Sequence, residues 1–212
     1  MTYPRFIVTG TDTGIGKTVF AAALTEALGA AYWKPIQAGL GADGKADCDT
    51  VAALAGIAGD HILPEAYRLT TPCSPHRAAE IDGGTIEPDQ VALPVIAAPL
   101  VIEGAGGVLV PLTRSLTYAD IFARWAAPVV LVASTRLGTI NHSLLSIEAL
   151  QSRGVPILGI AFVGEANEDS ELTIAEMGGI RRLGRLPWID PLTPDTLAQT
   201  FRANFNITDF AA

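Results

Sequence analysis

The stretch FIVTGTDTGIGKTVFAAALTEAL, Phe6–Leu28, runs from an apolar segment through a glycine-rich loop into a helical pattern. The loop ends in Gly16-Lys17-Thr18, an ending typical of loops that cradle phosphates. The usual spacing is G-x-x-x-x-G-K followed by Ser or Thr. Here the position reserved for the first glycine holds Thr11, and the glycine stands one residue earlier, at Gly10. The loop is therefore one residue long for its kind. Gly14 and Gly16 let the backbone curl so that N–H groups converge on an anion, and the helix that follows adds its positive end. Lys17 is placed to reach β- and γ-phosphates, and the Thr18 hydroxyl suits Mg²⁺.

Outward from this loop, short apolar runs recur at 5–9, 30–36, 98–104, 128–134, 156–163 and 182–188, bounded by Gly or Pro. Continuous apolar runs of this length fit strands buried on both faces. Helical periodicity lies between them. Phe20, Ala23, Leu24, Ala27 and Leu28 form one stripe closed by Gly29, and Ile140, Leu144, Ile147 and Leu150 form another that ends at Gly154. DTVAALAG after Asp49 and PDTLAQTFRANF near the end are further helix candidates. The pattern predicts one α/β domain over residues 1–212, with a mostly parallel central sheet of six or seven strands and helices on both faces.

The bulk properties narrow the function classes. The chain has 212 residues, 49% of them apolar, and a formal net charge of −8, which argues against a nucleic-acid partner. Cys48 and Cys73 have no metal-ligand spacing and suit a reducing cytoplasm. No signal peptide and no membrane-spanning run is expected.

In such folds ligands bind outside the C-terminal ends of the strands, so polar residues there are the candidates. Lys34 ends an otherwise apolar run, where it either snorkels to water or neutralises a transferring phosphoryl group beside the loop. Glu103 follows Leu100, Val101 and Ile102 and precedes Gly104, Gly106 and Gly107, a place suited to an acidic Mg²⁺ partner with close backbone approach. Asp47 or Asp49 is either a helix cap or a site residue. Thr139 or Asn141 is placed to cap the helix that follows, whose start also suits a carboxylate. His76 reads as a loop histidine, and Trp33 and Trp188 as packing residues.

Taken together and in order, GTDTGIGKT, KPIQAG, SPH, EGAGG, LGTINH and LPW resemble the dethiobiotin synthase family from about Phe6 to Trp188. The long loop is a mark of that family. The resemblance implies a P-loop enzyme that closes the ureido ring of dethiobiotin from 7,8-diaminopelargonic acid, CO₂ and ATP, through a carbamate and a carbamic–phosphoric anhydride. It implies Lys34 and Lys17 as catalytic residues, and Thr18, Asp49 and Glu103 as Mg²⁺ ligands. It places ATP against Gly14, Ile15, Gly16, Lys17, Thr18, Val19, Asp49, Glu103, Gly104, Ala105, Gly106, Val163, Gly164, Leu186, Pro187 and Trp188. The diamine would meet Thr13, Ala38, Gly107, Thr139, Ile140 and Asn141. It further implies a homodimer in which the GTINH segment of one subunit helps to hold the substrate carboxylate of the other.

The chain departs from that pattern at Ala38, where a hydroxyl residue is common, and at Val163-Gly164, where an Asn-Asp pair is common near the adenine. An apolar Val163 cannot read a base edge with its side chain. Two other readings share the loop type. One is the ATP-dependent amidation module of cobyrinic or cobyric acid synthesis, whose chains normally also carry a glutamine-hydrolysing domain. The other is a dimerisation-switch positioning ATPase, which carries a lysine near the loop's start where this chain has Thr11, Asp12 and Thr13.

Overall fold

Alternate residues of the first strand face two separate cores. In the computed structural model, which describes residues 3–41 and 43–210, β1 (Arg5–Gly10) turns Phe6 and Val8 to one side and Ile7 to the other. The strands β2 (Ala31–Trp33), β4 (Ile62–Leu63), β6 (Leu100–Gly107), β7 (Val129–Ser134), β8 (Ile157–Val163) and β9 (Arg182–Leu186) complete the main sheet. Its order is β4-β2-β6-β1-β7-β8-β9, and every pairing is parallel. β1 is central, between β6 and β7, so the chain reverses direction across the sheet at the strand that feeds the phosphate loop.

Helices cover both faces. α1 (Lys17–Leu28), α2 (Asp47–Ala55) and α7 (Pro194–Asn204) pack with Phe6, Val8, Val130 and Val132. α3 (Pro75–Ile81), α4 (Tyr118–Trp125), α5 (Thr139–Gln151) and α6 (Glu168–Gly178) pack with Ile7, Ile102, Val129 and Leu131. The expected helix end at Gly29 is present: Gly29 takes φ 56°, and its N–H donates to the Glu26 carbonyl. Among the described residues no helix is long and apolar enough to cross a membrane.

One expected strand is two. The run 30–36 breaks after Trp33, and β3 (Ile36–Ala38) pairs instead with β5 (Tyr67–Leu69) in a small separate sheet. Pro35 is the cause, because it has no N–H to continue the ladder. Its carbonyl accepts from Ala66 and Tyr67 at 2.9 and 3.1 Å. The break leaves Lys34 at the mouth of the sheet. β4, at two residues, is too short for periodicity to announce, and it supplies the seventh strand.

α7 anchors the helix that carries the phosphate loop. Phe20 of α1 is fully buried, with ring centroids 5.8 Å from Phe201 and 5.5 Å from Phe205. Phe20→Ala is expected to cost about 3–5 kcal/mol of stability. Urea denaturation followed by circular dichroism measures it, and a cost below about 1 kcal/mol would mean that the aromatic cluster does not brace α1.

Candidate active site

The phosphate loop closes over itself. Gly14 and Gly16 take φ 69° and 98°, in the left-handed region that other residues rarely adopt. Gly10 is needed for space: a Cβ there would lie 2.8 Å from both Ile15 Cδ1 and Lys17 Cδ. Lys17 folds back over the loop, and its Nζ donates to the Asp12 carbonyl at 2.6 Å. Burial pulls the Lys17 ammonium down to about 8, against an upward pull from Glu103, with nearby Lys34 adding to the fall.

Glu103 sits on β6 between the strands that carry the other parts. Val101 and Tyr32 both face the α1 side of the sheet, and Glu103, two residues after Val101, faces it too. Its carboxylate is wholly buried. Oε1 accepts from Thr18 Oγ1 at 2.9 Å and from Lys34 Nζ at 3.0 Å, and Oε2 accepts from Tyr32 Oη at 2.8 Å. Burial first, and then Glu103, push the Tyr32 hydroxyl well above its ordinary pKa, so it remains a donor.

Lys34 does not snorkel, being only 3% exposed. Its Nζ meets Asp47 Oδ2 at 2.5 Å, Glu103 Oε1 at 3.0 Å and the Gly104 carbonyl at 3.3 Å. Burial works to discharge it, but Glu103 and Asp47 outweigh that and hold its pKa above the ordinary lysine value. Burial lowers both lysines and the carboxylates raise both, but the carboxylates prevail only at Lys34, which touches them directly.

The two aspartates of α2 separate clearly. The resemblance points to Asp49, but the structure brings Asp47 to Lys34. Asp49 Oδ2 accepts from the Ala46 N–H at 2.9 Å, the bond of a capping residue. Asp47 lines the cleft beside the phosphate loop, and Asp49 is not among its lining residues. Gln37, buried on β3, holds the start of α2 by accepting from the Asp47 N–H at 3.1 Å, and donates to the Gly39 carbonyl at 2.7 Å.

These groups bound one cleft of about 320 Å³, lined by Thr13, Gly14, Gly16, Lys17, Thr18, Val19, Lys34, Gln37, Ala38, Asp47, Glu103, Ala105 and Gly106 among others. Ile15 lies buried beneath the loop, and Gly104 contributes its carbonyl to Lys34. A neighbouring cavity of about 380 Å³ shares Thr13, Ala38, Pro72, Ala105 and Gly106 with the cleft and adds Cys73, Ser74, Pro75 and Val110. A third, about 370 Å³, lies against Thr11, Asp12, Thr13 and Gly107, with His142 and Leu145 of α5 across it. Val163, Leu186, Pro187 and Trp188 line a smaller cavity of about 90 Å³ with Gly16 and Val19; Gly164 does not line it.

At α5 the cap is Gly138, not Thr139 or Asn141, and Thr139 Oγ1 donates to the Ser134 carbonyl instead. Ile140 is half-buried beside it. His76 lines none of these cavities, and Trp33 is a packing residue whose Nε1 donates to the Pro64 carbonyl. Sequence reading passed over Tyr32 and Gln37. Tyr32 had a signal, since residues two apart on a strand share a face and Tyr32 stands two before Lys34.

The oxygen donors suit a hard cation. Thr18 Oγ1, Glu103 and Asp47 converge on one cleft, and Mg²⁺ takes one or two carboxylates together with phosphate oxygens. Among the described residues no group of three or more His, Cys, Asp or Glu could hold a metal by itself. The donors present, one hydroxyl and two carboxylates, fit a cation that completes its coordination with phosphate oxygens.

Known proteins supply an independent comparison. The family described as an AAA domain matches residues 4–196. The ATP-dependent dethiobiotin synthetase BioD of Novosphingobium aromaticivorans is 65% identical over 97% of this chain and 98% of its own. That of Nitrobacter hamburgensis is 63% identical over 97% and 96%. Among solved structures, a ParA family ATPase from Chlorobium tepidum superposes with a TM-score of 0.54 at 11% identity, covering 95% of this chain and 92% of that one. The signal recognition particle receptor FtsY of Elizabethkingia anophelis in complex with GDP gives 0.56 at 14%, covering 99% and 63%. At such identities these structures show the fold alone, a parallel α/β architecture of the P-loop NTPase kind. Near-full-length identity to the named synthetases places the chain more narrowly: it belongs to the ATP-dependent dethiobiotin synthetase family.

Proposed function

We propose that this protein closes the ureido ring of dethiobiotin from 7,8-diaminopelargonic acid, CO₂ and ATP. The observation that carries the reading is Lys34, buried yet held charged beside the phosphate loop in a cleft that opens onto a second cavity. Two anions must meet in this reaction. One amine of the diamine adds CO₂ to give a carbamate, and the carbamate oxygen attacks the γ-phosphorus as the bond to the β-phosphate oxygen breaks. The second amine then attacks the carbonyl carbon of the carbamic–phosphoric anhydride, and phosphate leaves.

The chain's groups divide this work. Lys17 and the N–H groups at the start of α1 hold the phosphates. Lys34 meets the charge that builds between carbamate and γ-phosphoryl, where a fixed donor in a water-poor site counts most. Thr18, Glu103 and Asp47 would hold Mg²⁺, with Asp49 bracing α2. When bound, the cation neutralises phosphate charge and orients the β- and γ-oxygens. Thr13 and Ala38, on the wall shared by the cleft and the second cavity, support a place there for the diamine.

A second copy of the chain completes this reading. Leu137, Leu145 and Leu109 are exposed around the start of α5 and the third cavity. A partner covering that apolar face would bring its own Thr139–Asn141 segment to a substrate carboxylate. The free thiols Cys48 and Cys73 accord with a cytoplasmic setting.

Incubation with ATP, Mg²⁺, the diamine and labelled bicarbonate is expected to give dethiobiotin that carries the label, read by mass spectrometry. Folded, nucleotide-binding protein that makes none would overturn the proposal.

Lys34→Ala is expected to lower kcat by about 10²–10³ while ATP affinity stays within a few-fold, because the ammonium serves the transition state more than the resting nucleotide. Asp47→Asn is expected to raise the Mg²⁺ concentration needed for half-maximal turnover. Asp49→Asn is expected to leave that titration in place, because the amide oxygen still accepts from the Ala46 N–H. Equal Mg²⁺ responses in the two variants would return the metal role to Asp49 or remove it from both.

The depressed Lys17 gives a pH signature. In the nucleotide-free protein its buried charge is unfavourable below about pH 8, and that cost is relieved as pH rises from 8 toward 10.5, where the unfolded chain binds more protons. Bound phosphates favour the ammonium. Nucleotide binding at pH 9 is therefore expected to take up close to one proton, and at pH 7 almost none. Calorimetry in buffers of different ionisation enthalpy measures the uptake, and Lys17→Met should abolish the difference between the two pH values.

A further inference from the structure

We infer that this enzyme discriminates weakly among nucleobases, so that GTP and CTP serve its phosphoryl transfer alongside ATP. The inference rests on the proposed function for the reaction and on the small cavity beside the phosphate loop for the base. That cavity meets the phosphate cleft along Gly16 and Val19, at the start of α1. The other neighbouring cavities meet the loop at Asp12 and Thr13 or lie along Ala38, on the acceptor side. The base is left with the cavity of Gly16, Val19, Val163, Leu186, Pro187 and Trp188.

No side chain of its lining offers an acceptor with which to read a base edge. The side chains are aliphatic except for the Trp188 indole, whose N–H can only donate. Two backbone groups at the strand ends beside it are already engaged. The Val163 carbonyl accepts from the Thr135 N–H at 3.3 Å, and the Gly164 N–H donates to the Leu186 carbonyl at 3.0 Å. Pro187 has no N–H to offer.

Val163 itself is tied to the loop. A Cβ on Gly16 would lie 2.8 Å from Val163 Cγ1, so the valine packs directly against the glycine that turns the loop into α1. It supports the phosphate site and presents only methyl groups to a base. Trp188 is exposed, and the Arg136 guanidinium lies 5.9 Å from its ring centroid. Such a surface holds a planar ring by stacking and apolar contact, which every base provides. A site built to hydrogen-bond one edge rejects analogues by about 10⁴, whereas an apolar pocket rejects near-isosteres by no more than about 10². The chemistry is indifferent to the base: the bond to the β-phosphate oxygen breaks, the bond from the carbamate oxygen to phosphorus forms, and GDP or CDP leaves as ADP would.

The test uses the parent protein with Mg²⁺ and each of ATP, GTP and CTP. Dissociation constants for the β,γ-imido analogues come from calorimetry, and kcat/KM comes from dethiobiotin formed with the diamine and bicarbonate. Both sets are expected to fall within about 10² of each other, and a wider preference for ATP in the binding constants would overturn the inference. If no nucleotide yields product, the proposed reaction has failed and the binding constants alone decide base tolerance. Trp188→Ala, at an exposed position, is expected to weaken all three analogues by a common factor of about ten. A loss confined to the adenine analogue, or no loss, would show that the base is held elsewhere or read by its edge.

Discussion

The buried carboxylate of Glu103 is the constraint on which the rest of the site depends. A carboxylate with no exposure to water is tolerable only when its oxygens are fully partnered. Thr18, Lys34 and Tyr32 provide the partners, and they come from the start of α1 and the end of β2. Satisfying one carboxylate therefore locks the helix of the phosphate loop to two neighbouring strands. Sheet order makes this possible. β6 lies between β1 and β2, so Glu103 stands between the loop at one strand end and the lysine at the other.

The same carboxylate explains why two nearby lysines differ so much. Lys34 touches Glu103 and Asp47 directly, and the attraction outweighs the burial that opposes it. Lys17 is also buried, but its ammonium rests on the Asp12 carbonyl, a neutral acceptor, and burial prevails. One lysine is compensated before any ligand arrives, and the other waits for an anion. The proposed reaction, which gathers phosphates first and stabilises transferring charge second, accounts for this division. In that reading the waiting charge favours nucleotide binding, and the compensated one is held in position for the later step.

Much of this was legible in the sequence because it rests on local patterns. The strand–loop–helix unit, the glycine at the end of α1 and the apolar runs of the sheet are repeated, periodic signals. Lys34 and Glu103 could be found because each is a charge at the end of an apolar run. What escaped depended on distant contacts. Nothing local distinguishes Asp47 from Asp49, since both stand at the same helix start; the contact of Asp47 with Lys34 joins residues thirteen apart. The two-residue β4 is held by pairing with β2 and has no pattern of its own. Pro35, by contrast, carried a readable warning that the run 30–36 could not be one strand, because a proline cannot continue a central ladder.

The extra residue of the phosphate loop can now be given a structural role. Gly10 is not a displaced copy of the usual first glycine. It is the flat seat over which Ile15 and Lys17 fold, and β1 shifts register against β6 between Val8 and Gly10 as the loop begins. The longer excursion carries Asp12 and Thr13 outward. Asp12 turns its carbonyl back to Lys17, which closes the loop. Thr13 is left at a junction, lining the phosphate cleft, the cavity beside Ala38 and the cavity that faces α5. In the proposed function the loop is both a phosphate cradle and a wall between phosphate and acceptor.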